Sequence, residues 1–236
     1  MPNNTTYFIS DEVFRIRSLH ERVLSEWYDY FSTFQIINNY SISLYRQYAI
    51  GYPPAAIELQ NWHPECIGQP KDVVFGLGLS QDDIQLAMAR MFGYTDWEQV
   101  IERDSLIDRG FEMAVDLMLS GDIVQLEKRL LQAPQLVNAN SPFGHQAGLI
   151  HYIAANGVET HRQITPYNAP EILQLLLDMG ADHMQSHNIY GGSCTLIELI
   201  ETSAHPDQAG VSQSLIEILD LVVFRSQKKE DSPDLC

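Results

Sequence analysis

Apolar residues recur every third or fourth position along most of this chain, the spacing of helices that bury one face. From Asp11 to Phe34, the residues Ile16, Leu19, Val23, Trp27, Tyr30 and Phe34 keep that step and predict one long amphipathic helix, with Ser10 as its N-cap. Residues Ile36 to Tyr52 are rich in Tyr and Ile, which favour strands, yet Ile42, Tyr45 and Ala49 hold helical spacing, so a helix is expected. Gly51 and Pro53-Pro54 end it, and Ala55 to Asn61 reads as a short helical segment. Ser80-Gln81-Asp82-Asp83 sets a hydroxyl three residues ahead of a carboxylate, a capping box, with Ile84, Ala87, Met88 and Met91 on one face and Gly93 as the stop. Thr95-Asp96-Trp97-Glu98 opens a further helix that points Trp97, Val100 and Ile101 inward.

After about Asp104 the pattern changes to pairs of short helices separated by turn formers, and one phrase recurs. Its sharpest copy runs Gly148-Leu149-Ile150-His151-Tyr152-Ile153-Ala154-Ala155-Asn156-Gly157, followed by Ile172-Leu173-Gln174-Leu175-Leu176-Leu177-Asp178-Met179-Gly180-Ala181-Asp182. A preceding copy spans Phe111 to Gly121, then Val124, Leu126, Leu130 and Leu131, and closes on Pro134 to Asn138. A following copy uses Thr195 to Ile200 and Leu215 to Leu219, with Glu198 where His151 aligns. One helix pair cannot hide its apolar face alone, so roughly three stacked pairs are the minimum for a stable array. The expectation is an all-α protein: an N-terminal helical domain over 1–104, a helix-pair array over 105–224 and a disordered polar tail over 225–236.

The two phrases around His151 and Gly180 resemble the ankyrin repeat, in its opening Thr-Pro-Leu-His-x-Ala-Ala-x-x-Gly and in the Gly-Ala-Asp that ends its second helix. The resemblance covers about half the chain and is similar to that of bacterial ankyrin-repeat proteins. It implies a short ankyrin-like helical solenoid of about three repeats that binds a protein partner through its concave face and finger turns. His151 would then hydrogen-bond backbone between neighbouring repeats. The fingers would hold Asn140, Ser141, Phe143, Gly144 and His145, and then His187, Asn188, Tyr190, Gly191 and Gly192. Phe143, His145, Asn188 and Tyr190 become the partner-binding candidates, the two rings as anchors, since aromatics carry much interface energy. Packing of those rings on a neighbouring finger is the other reading.

Two connections between helices are longer than the repeat requires, 158–169 and 203–210. Parallel stacking would bring them out on one edge and group His161, Arg162, Thr165, Tyr167 and Asn168 with His205, Asp207 and Gln208. With His161 facing His205, such a group could hold a small ligand, a peptide terminus or a metal, or support acid–base chemistry. The same side chains serve equally as turn and cap residues, Thr165-Pro166 and Asn168 above all.

Charge narrows the partners. Acids number 31 against 14 bases, and the net charge of -17 repels phosphate backbones and anionic headgroups, so neither nucleic acid nor a membrane is expected. No apolar run spans a bilayer, Met1 to Thr6 lack the features of a signal peptide, and Cys66, Cys194 and Cys236 have no metal or redox spacing, so a cytoplasmic location with free thiols is expected. Nucleophile elbows, phosphate loops, zinc-site cysteine pairs and dinucleotide glycine patterns are missing, so no catalytic residue, metal or cofactor is expected. The repeat type and polar tail also admit a bacterial protein exported to a host cell.

Overall fold

In the computed structural model, which describes residues 6–189 and 192–230, the chain is mostly helical. Strand β1 (Tyr7–Phe8) leads into α1 (Asp11–Leu19), where the Ser10 hydroxyl accepts the Val13 N–H. The long helix expected to Phe34 is instead broken into α1, α2 (Glu21–Ser25) and a single 3₁₀ turn at Trp27–Asp29. The break lets two polar groups on the buried side reach partners: His20 Nε2 meets Glu58 Oε2 at 3.0 Å, and the Trp27 indole donates to Glu112 at 3.0 Å. Apolar spacing runs on across the bends because all three pieces bury the same side.

Helix α3 (Thr33–Ala49) forms as expected, on a different face. Ile36, Ile37, Tyr40, Leu44 and Tyr48 are buried, whereas Tyr45 and Ala49 are exposed and Ile42 is only partly covered. Helix α4 (Pro53–Trp62) is buried through most of its length. It is followed by α5 (Lys71–Gly76), α6 (Gln81–Met91) behind the Ser80–Asp83 capping box, and α7 (Trp97–Glu102) behind Asp96. Val100 points inward from α7 as expected, and Ile101 faces out at 55% exposure.

The second half begins with α8 (Arg109–Leu119) and α9 (Ile123–Gln132), whose Leu126 and Leu130 are buried while Val124 and Leu131 are exposed. Residues Leu149–Ala154 wind as a 3₁₀ helix rather than an α-helix, and Ala155 ends it with a left-handed φ of 46°. A 3₁₀ turn at Thr160–Arg162 and strand β2 (Thr165–Pro166), antiparallel to β1, precede α10 (Ala169–Asp178). Then come the hairpin strands β3 (Ser186–Ile189) and β4 (Gly192–Thr195), with Ser186 opposite Thr195. Helices α11 (Leu196–Thr202), α12 (Ala204–Gln208) and α13 (Ser212–Glu230) complete the chain. Cys194, expected at a helix start, lies on β4 opposite His187. Helix α13 extends to Glu230, into the stretch expected to be a tail, and 231–236 lie outside the described residues.

These helices pack as neighbouring pairs. α8 lies against the 149–154 helix and that helix against α11, while α9 lies against α10 and α10 against α13. The His151 ring stitches the join: Nδ1 accepts the Gly148 N–H at 3.0 Å and Nε2 meets the Gln185 carbonyl at 2.8 Å. Glu198 does the equivalent capping one pair later, accepting the Thr195 N–H at 2.7 Å. A carboxylate thus replaces an imidazole in the same local task.

One hydrophobic cluster runs from Leu19 to Leu219 through both halves. The Phe143 ring lies 4.7 Å from Phe92 and 6.0 Å from Trp27, and the Trp62 indole donates to Thr160 at 2.9 Å. Gly93 and Gly144 meet backbone to backbone: a Cβ on Gly93 would fall 2.1 Å from the His145 nitrogen, and one on Gly144 2.8 Å from the Gly93 carbonyl. Gly93 also holds φ at 83°, a region that side chains disfavour. Among the described residues, no helix is long and apolar enough to cross a membrane.

Candidate functional site

The 158–169 connection is not a surface loop. Its Thr160–Arg162 turn packs on α1, and Glu159, Thr160, His161, Arg162 and Thr165 are all buried. Arg162, 3% exposed, donates from Nη2 to the Glu112 carboxylate, lies 3.5 Å from Asp116 and reaches Glu159 at 3.6 Å through Nη1. Its guanidinium stacks 4.8 Å from the Trp27 ring, whose indole N–H donates to the same Glu112 oxygen, Oε2. Glu159 in turn sits 3.6 Å from His145 Nε2.

Burial disfavours charge on every member of this cluster, and the neighbours decide which groups keep it. Burial pulls the Arg162 guanidinium down, but Glu112, Glu159 and Asp116 together outweigh it and hold its pKa well above the usual value. Burial pushes Glu159 up, and Arg162 and His145 overcome it to hold the carboxyl at about 2. Glu112 goes the other way, because its burial outweighs the pull of Arg162 and raises its pKa. Several buried polar atoms here have no hydrogen-bond partner, including Arg162 Nη1, Glu112 Oε1, Glu159 Oε2 and His161 Nδ1.

Arg162 and His161 form one wall of a cleft of about 240 Å³, closed by Arg17, Trp27, Tyr28 and Asp116. Arg17 reaches in from α1 and donates to the His161 carbonyl at 2.7 Å. Tyr28 donates to Asp116, and burial followed by the Asp116 charge raises its phenol, so the hydroxyl stays a donor at neutral pH. Tyr28, Asp116 and Ser120 also line an adjoining, mostly apolar groove of about 480 Å³ against Met113 and Leu117. The cleft therefore has a part of mixed lining, where Arg17, Arg162 and Asp116 stand among Leu24, Leu119 and Ile164, and a mostly apolar wing. His161 is no proton shuttle for it: burial and then Arg162 hold its imidazole well below the usual value, and its ring packs 5.0 Å from Trp27 and 5.4 Å from Tyr40.

The residues singled out from sequence separate accordingly. Phe143, 1% exposed, and His145, fully buried, are not surface anchors, because Trp27, Phe92 and Glu159 of the same chain already occupy them. Asn188 is exposed, and Tyr190 lies outside the described residues. His161, Arg162 and Thr165 are interior; Tyr167 is half exposed, and Asn168 donates to the Gly121 carbonyl at 3.0 Å as a turn residue. His205 sits partly covered on α12 near Glu12, and Asp207 and Gln208 face solvent. No hydrogen bond, ion pair or ring contact joins the two long connections among the described residues, so the His161–His205 pairing does not form. Sequence reasoning passed over Arg17, Tyr28, Glu112, Asp116 and Glu159. The one available signal was Glu112 and Asp116 four apart on a helix, beside an Arg three residues after Glu159.

No family model, curated protein or solved structure matches the chain.

Proposed function

We propose that this chain is a binding protein for a small molecule, held in the cleft between the Trp27–Asp29 turn, α1, α8 and the Thr160–Arg162 turn. The observation that carries this reading is the joining of a mixed recess, in which two arginines and an aspartate stand among Leu24, Leu119 and Ile164, to a mostly apolar groove through Tyr28, Asp116 and Ser120. Convergent polar groups beside apolar surface are the usual make-up of a ligand site. The scaffold is read as an ankyrin-like array, supported by neighbouring helix pairs packing side by side and by His151 spanning from Gly148 to Gln185. In that reading the first finger already has its partner, the chain's own N-terminal half, through Phe143. Binding rather than turnover is favoured because the neutral His161 ring is enclosed and Asp116 is engaged by Tyr28.

Ser120 is exposed and lines both parts of the site, so Ser120→Trp should fill the junction. A fragment screen by ligand-observed NMR is expected to find compounds that bind the native chain saturably and lose binding to Ser120→Trp. A saturating ligand at about a hundredfold its Kd would add about 2.7 kcal/mol of stability. Absence of any binder, or binders indifferent to the substitution, would remove the reading. In the second finger Met184 is 66% exposed and Asn188 faces solvent, while His187 and Ile189 are buried; the two exposed residues support a second reading as a site for a protein partner.

A further inference from the structure

The signs and positions of the charges around the cleft go further than its volume. Arg17 makes its hydrogen bond to a backbone carbonyl, and no carboxylate lies within 4 Å of it among the described residues. It presents an unneutralised cation to the cleft. Arg162 is the opposite case, with Glu112, Glu159 and Asp116 gathered about a single guanidinium. That end carries excess negative charge, and its accessible member is Asp116, whose side chain is 49% exposed.

A simple anion would be drawn to Arg17 and repelled by the Asp116 end; a simple cation would meet the reverse. A molecule carrying both signs satisfies both, and an apolar side group would lie in the wing formed by Met113 and Leu117. We infer that the cleft takes a small zwitterion with an apolar side chain, an amino acid or a dipeptide, its carboxylate toward Arg17 and its ammonium toward Asp116. This rests on the cleft being a small-molecule site, as proposed above. Tyr28 and Trp27 also line the cleft, the Trp27 ring already carrying the Arg162 guanidinium 4.8 Å away.

The test is isothermal titration of the full chain with L-leucine, leucyl-leucine, N-acetyl-leucine and leucinamide. At least one zwitterion is expected to bind at least tenfold more tightly than both blocked forms, and whichever of the two wins distinguishes the free amino acid from the dipeptide. Arg17→Gln should weaken the zwitterion about tenfold and not weaken leucinamide, whose repulsion by Arg17 it removes; Arg17→Lys should retain binding. Asp116→Asn should weaken the zwitterion and not weaken N-acetyl-leucine, whose repulsion by Asp116 it removes. Melting curves of each variant report whether it has folded. If N-acetyl-leucine or leucinamide binds as tightly as the zwitterions, or if none of the four binds while other fragments bind and lose binding to Ser120→Trp, the zwitterion assignment falls and the cleft remains a ligand site. If no compound of any kind binds in a Ser120-sensitive way, both fall.

Discussion

The two long connections of the second half are written in nearly the same vocabulary and end in opposite places. Residues 158–169 and 203–210 each combine a histidine, a proline, an acid and turn formers. The first is driven into the interior, where Arg162 finds Glu112, Glu159 and the Trp27 face, and where β2 pairs with β1. The second folds on the surface as the short helix α12, with only Pro206 buried within it. Polarity alone does not decide exposure. What decides it is whether the rest of the chain offers opposite charges and rings to receive the polar groups, because an unmatched buried charge is far more costly than a solvated one.

The sharpest way to break this contrast is Arg162→Ala. It leaves Glu112 and Glu159 buried without their cation and should cost about 3–5 kcal/mol in urea unfolding; a loss near that of a surface substitution would mean that the cluster contributes little. Phe143→Ala opens a cavity among Trp27 and Phe92 and should cost roughly 3–5 kcal/mol, whereas a solvent-facing finger residue would be indifferent.

Acid comes next. His151, His161 and His187 all lie below the ordinary imidazole value of 6.5, burial being the first cause in each, with His187 at about 3. The unfolded chain takes up protons that these folded rings refuse, so their contribution is complete above pH 6.5 and is lost progressively as the pH falls toward 3. Glu159, held at about 2, extends the loss below its ordinary 4.5, and Glu112, raised from 4.5, opposes it. The urea midpoint should therefore already be lower at about pH 5 than at about pH 7.5; an unchanged midpoint would contradict neutral interior histidines. Tyr28→Phe removes the donor to Asp116 at a partly exposed site and should cost about 1 kcal/mol. Gln208→Ala, on the solvated connection, should stay within about 0.5 kcal/mol, and a larger effect would show that α12 has an interior role.

Much of the fold was legible where a local rule and the packing agree. The Ser80–Asp83 cap, α6 and the α8–α9 and α10 segments follow from spacing and capping chemistry, α3 forms although the spaced residues Tyr45 and Ala49 face out, and the backbone-binding task of His151 is one that the ankyrin resemblance implied. The kinks at His20 and Trp27 were hidden because apolar periodicity survives a bend when both sides face one core. Of the candidate site, His161 and Arg162 were singled out from sequence, for a grouping with His205 that does not form, and both line the cleft instead. The rest was not legible, because Arg17, Tyr28 and Asp116 come from elements far away in sequence, and a charged residue bordering an apolar stripe reads locally as solvated surface.

The contact of Gly93 with Gly144 has a mechanical consequence. Where two main chains touch with nothing but hydrogens between them, and Phe92 accepts the His145 N–H at 3.1 Å, that seam has no slack for sliding. Entry of the proposed ligand would then be accommodated by rotation of individual side groups such as Met113 or Tyr28, not by a hinge at this join. Enlarging either glycine would wedge the join apart and loosen a pocket it never touches.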